Sequence, residues 1–124
     1  MKHISTGSPF ESTMGYSRAV VKGGWCFVSG VTGYDYSTMV MPKGVAMQAR
    51  NCFATIKAVL GEAGFAMSDI VRVQYTLVDG ELVDSVVQEL GRALGTIRPA
   101  ATMVIAGLIR PEMLIEIEVT AFKG

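Results

Sequence analysis

Between Ile115 and Ala121 the chain alternates strictly. Ile115, Ile117, Val119 and Ala121 fall on one parity, and Glu116, Glu118 and Thr120 on the other. A period of two over this length predicts a strand, Leu114 to Phe122, with one face buried and one face open. Between Val45 and Gly64 the period is helical instead. Val45, Ala49, Cys52, Phe53, Ile56, Val59, Leu60 and Ala63 recur on one stripe, while Gln48, Arg50, Asn51, Lys57 and Glu62 lie largely off it, which predicts an amphipathic helix. Gly64 is placed to end that helix in a left-handed conformation.

The same reading extends over the rest of the chain. Gly15 to Gly30 reads as a hairpin, with two β-prone runs flanking Lys22-Gly23-Gly24, since glycine supplies the positive φ of a tight turn. Gly33 to about Lys43 reads as a loop, in which Met39-Val40-Met41 could add a short strand. Ser68 to Val78 is expected to be a strand with Val71, Val73, Tyr75 and Leu77 on one face. A second helix is predicted from Glu81 to Leu94, with Asp79 as N-cap and Gly95 as its stop. Ala101 to Ala106 is expected to be a further strand. The order ββ-α-β-α-ββ predicts an α+β domain over residues 1–124, with two helices on one face of a mostly antiparallel sheet. The other face, carrying Glu116, Glu118, Thr102 and part of the hairpin, must meet water, a ligand or another subunit.

Composition narrows the partners. Eleven basic residues balance eleven acidic ones in 124 residues, which disfavours a nucleic-acid binder, because neutralising phosphates takes a clear excess of Lys and Arg. Half of the residues are hydrophobic, 18% are charged and eight are methionine, so either a Met-rich core or apolar surface covered by a partner is implied. The N-terminal Met1-Lys2-His3-Ile4-Ser5-Thr6-Gly7 lacks the apolar run of a signal peptide, and no apolar run nears the ~18 residues that span a bilayer. A cytoplasmic location is therefore expected. Cys26 and Cys52 sit at apolar positions and are expected to be buried thiols. With one histidine, His3, and no CxxC spacing, neither a metal nor a cofactor is expected.

Four stretches together resemble the Rid (YjgF) family, also called the endoribonuclease L-PSP family. They are Gly15-Tyr16-Ser17-Arg18-Ala19-Val20 with the later Val28-Ser29-Gly30, the helix Gln48-Ala49-Arg50-Asn51 with its Gly64 end, Arg98-Pro99-Ala100-Ala101-Thr102, and Ile115-Glu116-Ile117-Glu118. The resemblance implies the chorismate-mutase-like fold, a homotrimer, and small-molecule clefts between subunits. It also implies hydrolysis of 2-aminoacrylate-type enamines and imines to 2-oxo acids and ammonia.

Carried over by position, the resemblance makes Glu116 the residue that positions or activates water. Tyr16 and Ser29 become cleft residues, and Gly30 offers its backbone. The family's carboxylate-gripping arginine falls on Ala101, with Thr102 and Met103 beside it. A methyl group cannot replace the paired donors of a guanidinium, and losing that pair should cost about 2–3 kcal/mol of binding. Arg98, three positions earlier, is a candidate substitute donor; Arg18 and Arg110 are further candidates, and the bland reading of all three is a solvated surface arginine. Two function classes follow: an imine or enamine hydrolase with altered substrate choice, and a non-catalytic metabolite-binding or pathway-accessory protein. An endoribonuclease ranks third, because the neutral charge gives RNA little to grip.

Overall fold

The computed structural model describes residues 1–124. Six strands and three α-helices follow in the order β1 (Lys2–Ile4), α1 (Pro9–Met14), β2 (Ala19–Lys22), β3 (Trp25–Thr32), α2 (Val45–Ala63), β4 (Ile70–Leu77), α3 (Val83–Leu94), β5 (Ala100–Ile105) and β6 (Ile115–Phe122). The strands form one sheet ordered β1-β2-β3-β6-β4-β5. Every pair is antiparallel except β4–β5, where α3 makes the crossover that a parallel pair requires.

The core lies between the sheet and the helices α2 and α3. Ile115, Ile117, Val119 and Ala121 of β6 are buried on that side, as their parity predicts, against Ala49, Cys52, Ile56 and Leu60 of α2. Fully burying an aliphatic side chain of this kind contributes roughly 1.5–3 kcal/mol. Gly64 closes α2 with φ 87° and its N–H bonded back to Leu60 and Gly61, as expected of a glycine in the left-handed region. Gln48, fully buried on α2, donates to the carbonyls of Pro42 and Glu112 and accepts from the Leu114 N–H. It thereby ties the loop before α2 to the loop before β6.

Several expectations need correction. Periodicity does not reveal the N-terminal β1 and α1, because three- and six-residue elements are too short to show a period. The local signals for α1 are present all the same. Ser8 Oγ accepts from the Phe10 N–H, Pro9 opens the helix, and Gly15 ends it at φ 74°, the usual asymmetry of helix ends. Val71 does not share a face with Val73, Tyr75 and Leu77: the β4–β6 register shifts between Ile70 and Arg72, which buries Ile70 and exposes Val71. Met39-Val40-Met41 forms no strand, only the single bridge Asp35↔Val40. Asp79 caps a 3₁₀ turn over Gly80–Leu82 rather than α3 itself.

Candidate functional site

The site around Glu116 begins with a flaw in the β3–β6 ladder. Val28 pairs with Val119 and Val31 with Ile117, so Ser29 and Gly30 together face Glu118. An extra residue in one strand makes a β-bulge, which re-aims the neighbouring groups. Here it brings the Gly30 backbone under the Glu116 side chain. A Cβ built on Gly30 would lie 2.5 Å from the Glu116 carboxyl carbon and 2.7 and 2.8 Å from its oxygens. Only a glycine leaves room for the carboxylate. Glu116 itself lies between Thr32 of β3 and Thr76 of β4.

Behind the bulge stands Arg18, just before β2 and only 1% exposed. The expectation of a solvated arginine is overturned. Its Nη1 donates to the Gly30 carbonyl at 2.6 Å, and Nη2 lies 3.4 Å from the Tyr16 hydroxyl. The guanidinium carbon is 4.9 Å from the Tyr36 ring centre and 5.6 Å from that of Tyr16, within cation–π range. Its charge partner is the buried Glu11, at 3.9 Å from Nε. Burial pushes the Glu11 carboxyl up, but hydrogen bonds from Thr6 and Ser5 and the charge of Arg18 outweigh it and hold the group below its usual value. Tyr36 is fixed in turn through its hydroxyl, which accepts from the Thr32 N–H at 3.1 Å.

Opposing effects set the charge of Glu116. Desolvation is the largest and raises its proton affinity; the neighbouring Glu118 adds to that, and Arg18 lowers it. The net shift is upward, toward the range where a carboxyl group can both take and return a proton near neutral pH. Cys52 lies nearby on α2, its thiol donating to the Val31 carbonyl at 3.2 Å. Burial drives its proton affinity far up, so it is a packed thiol and no nucleophile.

Ser29 lines an open-face cleft of about 340 Å³ together with Arg72, Gln74, Glu118 and Thr120. Its hydroxyl donates to the Ser17 carbonyl at 2.7 Å, leaving lone pairs free to accept from a ligand. Tyr16 is half-buried, its hydroxyl on the Arg18 guanidinium. Tyr16, Gly30, Glu116 and, along the strand, Ser29 therefore lie at one end of the sheet's open face.

Ala101 and Met103 do not join them. In the β4–β5 ladder Ala101 pairs with Val73 and Met103 with Tyr75, two residues buried under the helices. Ala101 lines a groove of about 410 Å³ on the helix side with Val87, Leu90, Leu94 and Arg98, while Met103 packs on the core. Thr102 points to the opposite face, where its hydroxyl accepts from Arg72 at 3.0 Å. Arg98 holds a left-handed φ of 56°, its N–H bonded to the Leu94 carbonyl at 2.8 Å, and its side chain is exposed. Non-glycine residues in this conformation store strain, which is concentrated at functional positions. Arg110 belongs to neither group. Its guanidinium lies 5.4 Å from the Phe10 ring centre, in a separate groove of about 770 Å³ shared with Tyr34 and Glu112.

A helix-backed antiparallel sheet with a half-buried carboxylate on its bare side defines a class of small α+β cleft proteins. Residues 6–123 match the family model described as Endoribonuclease L-PSP, and the chain belongs to that family, also known as YjgF/RidA. A RutC family protein of Pyrococcus horikoshii is 30% identical over 109 residues, which is 87% of this chain and 86% of that one. The 3-aminoacrylate deaminase RutC of Acinetobacter baylyi is 33% identical over 92 residues, or 73% of each chain. Among solved structures, a YjgF/YER057c/UK114 family member from Mycobacterium tuberculosis aligns with a TM-score of 0.89 at 36% identity, covering 98% of both chains.

Proposed function

We propose that this protein is a Rid-type hydrolase of reactive imines or enamines, assembled as a homotrimer whose clefts combine two half-sites from different copies. The carrying observation is the Glu116 carboxylate, seated on Gly30 with a raised proton affinity. In the reaction water adds to the C=N carbon as Glu116 takes its proton. The imine reacts as its protonated form and gives a carbinolamine. Glu116 then returns the proton to nitrogen, and as the C–N bond breaks the carbinolamine hydroxyl proton passes back to the Glu116 carboxylate, giving a carbonyl product and ammonia. Enamines enter the same path after tautomerising to the imine.

Placement of Ala101 on the helix side and Glu116 on the open side supports the two-copy cleft. One chain cannot bring both to one ligand. The apolar edge of the sheet, with Ile105 half exposed, and the exposed Trp25, Phe27 and Phe122 on the open face offer surface for such an assembly. In the half-site without the arginine, Arg98 shares the groove with Ala101 and has no ion-pair partner. It is the donor that takes a substrate carboxylate there, at longer reach and with weaker grip. Ordinary 2-aminoacrylate turnover is accordingly slow.

Ammonia release from enzymatically generated imino acids tests the reading. Release that is abolished in Glu116→Gln supports it. Saturable binding of 2-oxo acids with no release above background would instead identify a metabolite-binding protein, the reading favoured by the missing arginine at position 101.

A further inference from the structure

Glu116 and Arg18 are linked through a single residue. Arg18 donates to the Gly30 carbonyl at 2.6 Å, and Gly30 is the residue whose missing side chain the Glu116 carboxyl group occupies. The guanidinium is sealed from water and lies within cation–π range of both Tyr16 and Tyr36. It also has a nitrogen, Nε, without a hydrogen-bond partner. Burying a cation with one carboxylate 3.9 Å away and an unused donor is costly for stability alone, and breaking even usually needs full hydrogen bonding. Stability alone therefore does not account for a cation in this position.

We propose that Arg18 is a positioning residue for Glu116, holding the bulged Gly30 in place beneath the carboxylate and supplying a fixed positive charge beside it. This rests on the reading of Glu116 as the acid/base group. The groups acting on Glu116 from each side are Glu118 on its own strand, Arg18 before β2, and Cys52 of α2, with Thr32 and Thr76 as its neutral neighbours across the ladders. Of these only Arg18 is positive. Without it, burial and Glu118 would act unopposed and raise the proton affinity of the carboxyl group further. The aromatic pair and Glu11 keep the cation in its plane, so its field does not fluctuate with solvent.

The test is a ¹³C-carboxyl NMR titration of Glu116, which needs no substrate, run beside the pH profile of ammonia release. Arg18→Gln keeps donors for the Gly30 carbonyl without the charge, and Arg18→Lys keeps the charge without the planar fork. Arg18→Gln is expected to raise the Glu116 midpoint by roughly half a pH unit, more than the Lys variant does, and to move the acid limb of the activity profile equally. Arg18→Lys should stay within a few tenths of the wild type in midpoint while losing kcat. Equal midpoints in wild type and Arg18→Gln, or equal shifts in the Gln and Lys variants, overturn the proposal. Should the Gln variant not fold, Glu11→Gln decides. Removing the carboxylate that offsets the Arg18 charge should lower the Glu116 midpoint, and an unchanged or higher midpoint overturns the proposal. A midpoint that follows Arg18 with no ammonia released by any form would sink the hydrolase reading and leave the electrostatic link standing.

Discussion

The surroundings of Glu116 and of Ala101 differ in almost every physical respect. Around Glu116 a bulge, a buried guanidinium, two tyrosines and two threonines fix one carboxylate. Around Ala101 the groove is lined by Val87, Leu90, Leu94 and a methyl group, with a single exposed cation at Arg98. The first holds a carboxylate in a fixed place, and the second presents one exposed cation on an apolar groove. Under the proposed function, the group that would carry the chemical step and the groups that would grip substrate lie on opposite faces of one sheet, and only the former is rigidly held.

The contrast can be broken most severely at the carboxylate. Glu116→Gln is expected to lower ammonia release by roughly 10²–10⁴-fold, the usual contribution of a positioned acid/base group. Refolding it together with Ala101→Trp, whose indole fills the other half-site, should restore release to within several-fold of wild type if each cleft draws on two copies. No recovery in the mixture would remove position 101 from the cleft that holds Glu116. Next in size is Gly30→Ala. Its Cβ would displace the carboxylate, and kcat should fall roughly 10–100-fold with little change in KM, since sub-ångström misplacement is felt in the chemical step.

The grip comes third. Ala101→Arg should tighten binding of a 2-oxo acid about 10-fold or more in isothermal titration, the value of a charge-assisted pair. Arg98→Ala should weaken it only a few-fold, as expected of an exposed charge, and no change would remove Arg98 from the cleft. The smallest effect is on stability. Because the folded protein raises the proton affinity of Glu116, ionising it costs stability, and the cost grows as pH rises from the unfolded carboxyl value of about 4.3 through the higher folded one. Glu116→Gln should therefore melt on the order of a few degrees higher than wild type at pH 7, with the gain shrinking toward pH 4. A gain that persists at pH 4 would assign the effect to something other than charge.

Long elements with a clean period were legible from residue order: the α2 stripe, the alternation of β6 and the αL glycine at 64 all follow from local burial and backbone sterics. β1 and α1 were not, since short elements show capping signals but no period. Val71 was misplaced because a bulge reverses parity without leaving a mark in composition. The same limit governs the site. Glu116 and Gly30 came through family resemblance, but the buried state of Arg18 depends on Glu11, Tyr16 and Tyr36 converging from separate segments. Tyr16 is the only one of these near Arg18 in sequence, and one tyrosine two residues away does not distinguish a buried arginine from a solvated one. The opposite facing of Ala101 and Thr102 follows from strand alternation once β5 is known to pair with β4.

The β5 strand has a consequence for the life of the newly made chain. It is the sheet's last strand, its outer row of amide and carbonyl groups is unpaired, and all six of its residues retain at least partial exposure. Its sequence, Ala-Ala-Thr-Met-Val-Ile, holds no charge and no proline, the two devices by which free edges ordinarily repel one another. A lone chain therefore carries an adhesive rim, and in the proposed trimer its safety would depend on how fast it meets other copies as well as on how firmly it folds. If copies do cover it, dilute synthesis leaves that rim open longest, and soluble yield should rise with the concentration of identical chains.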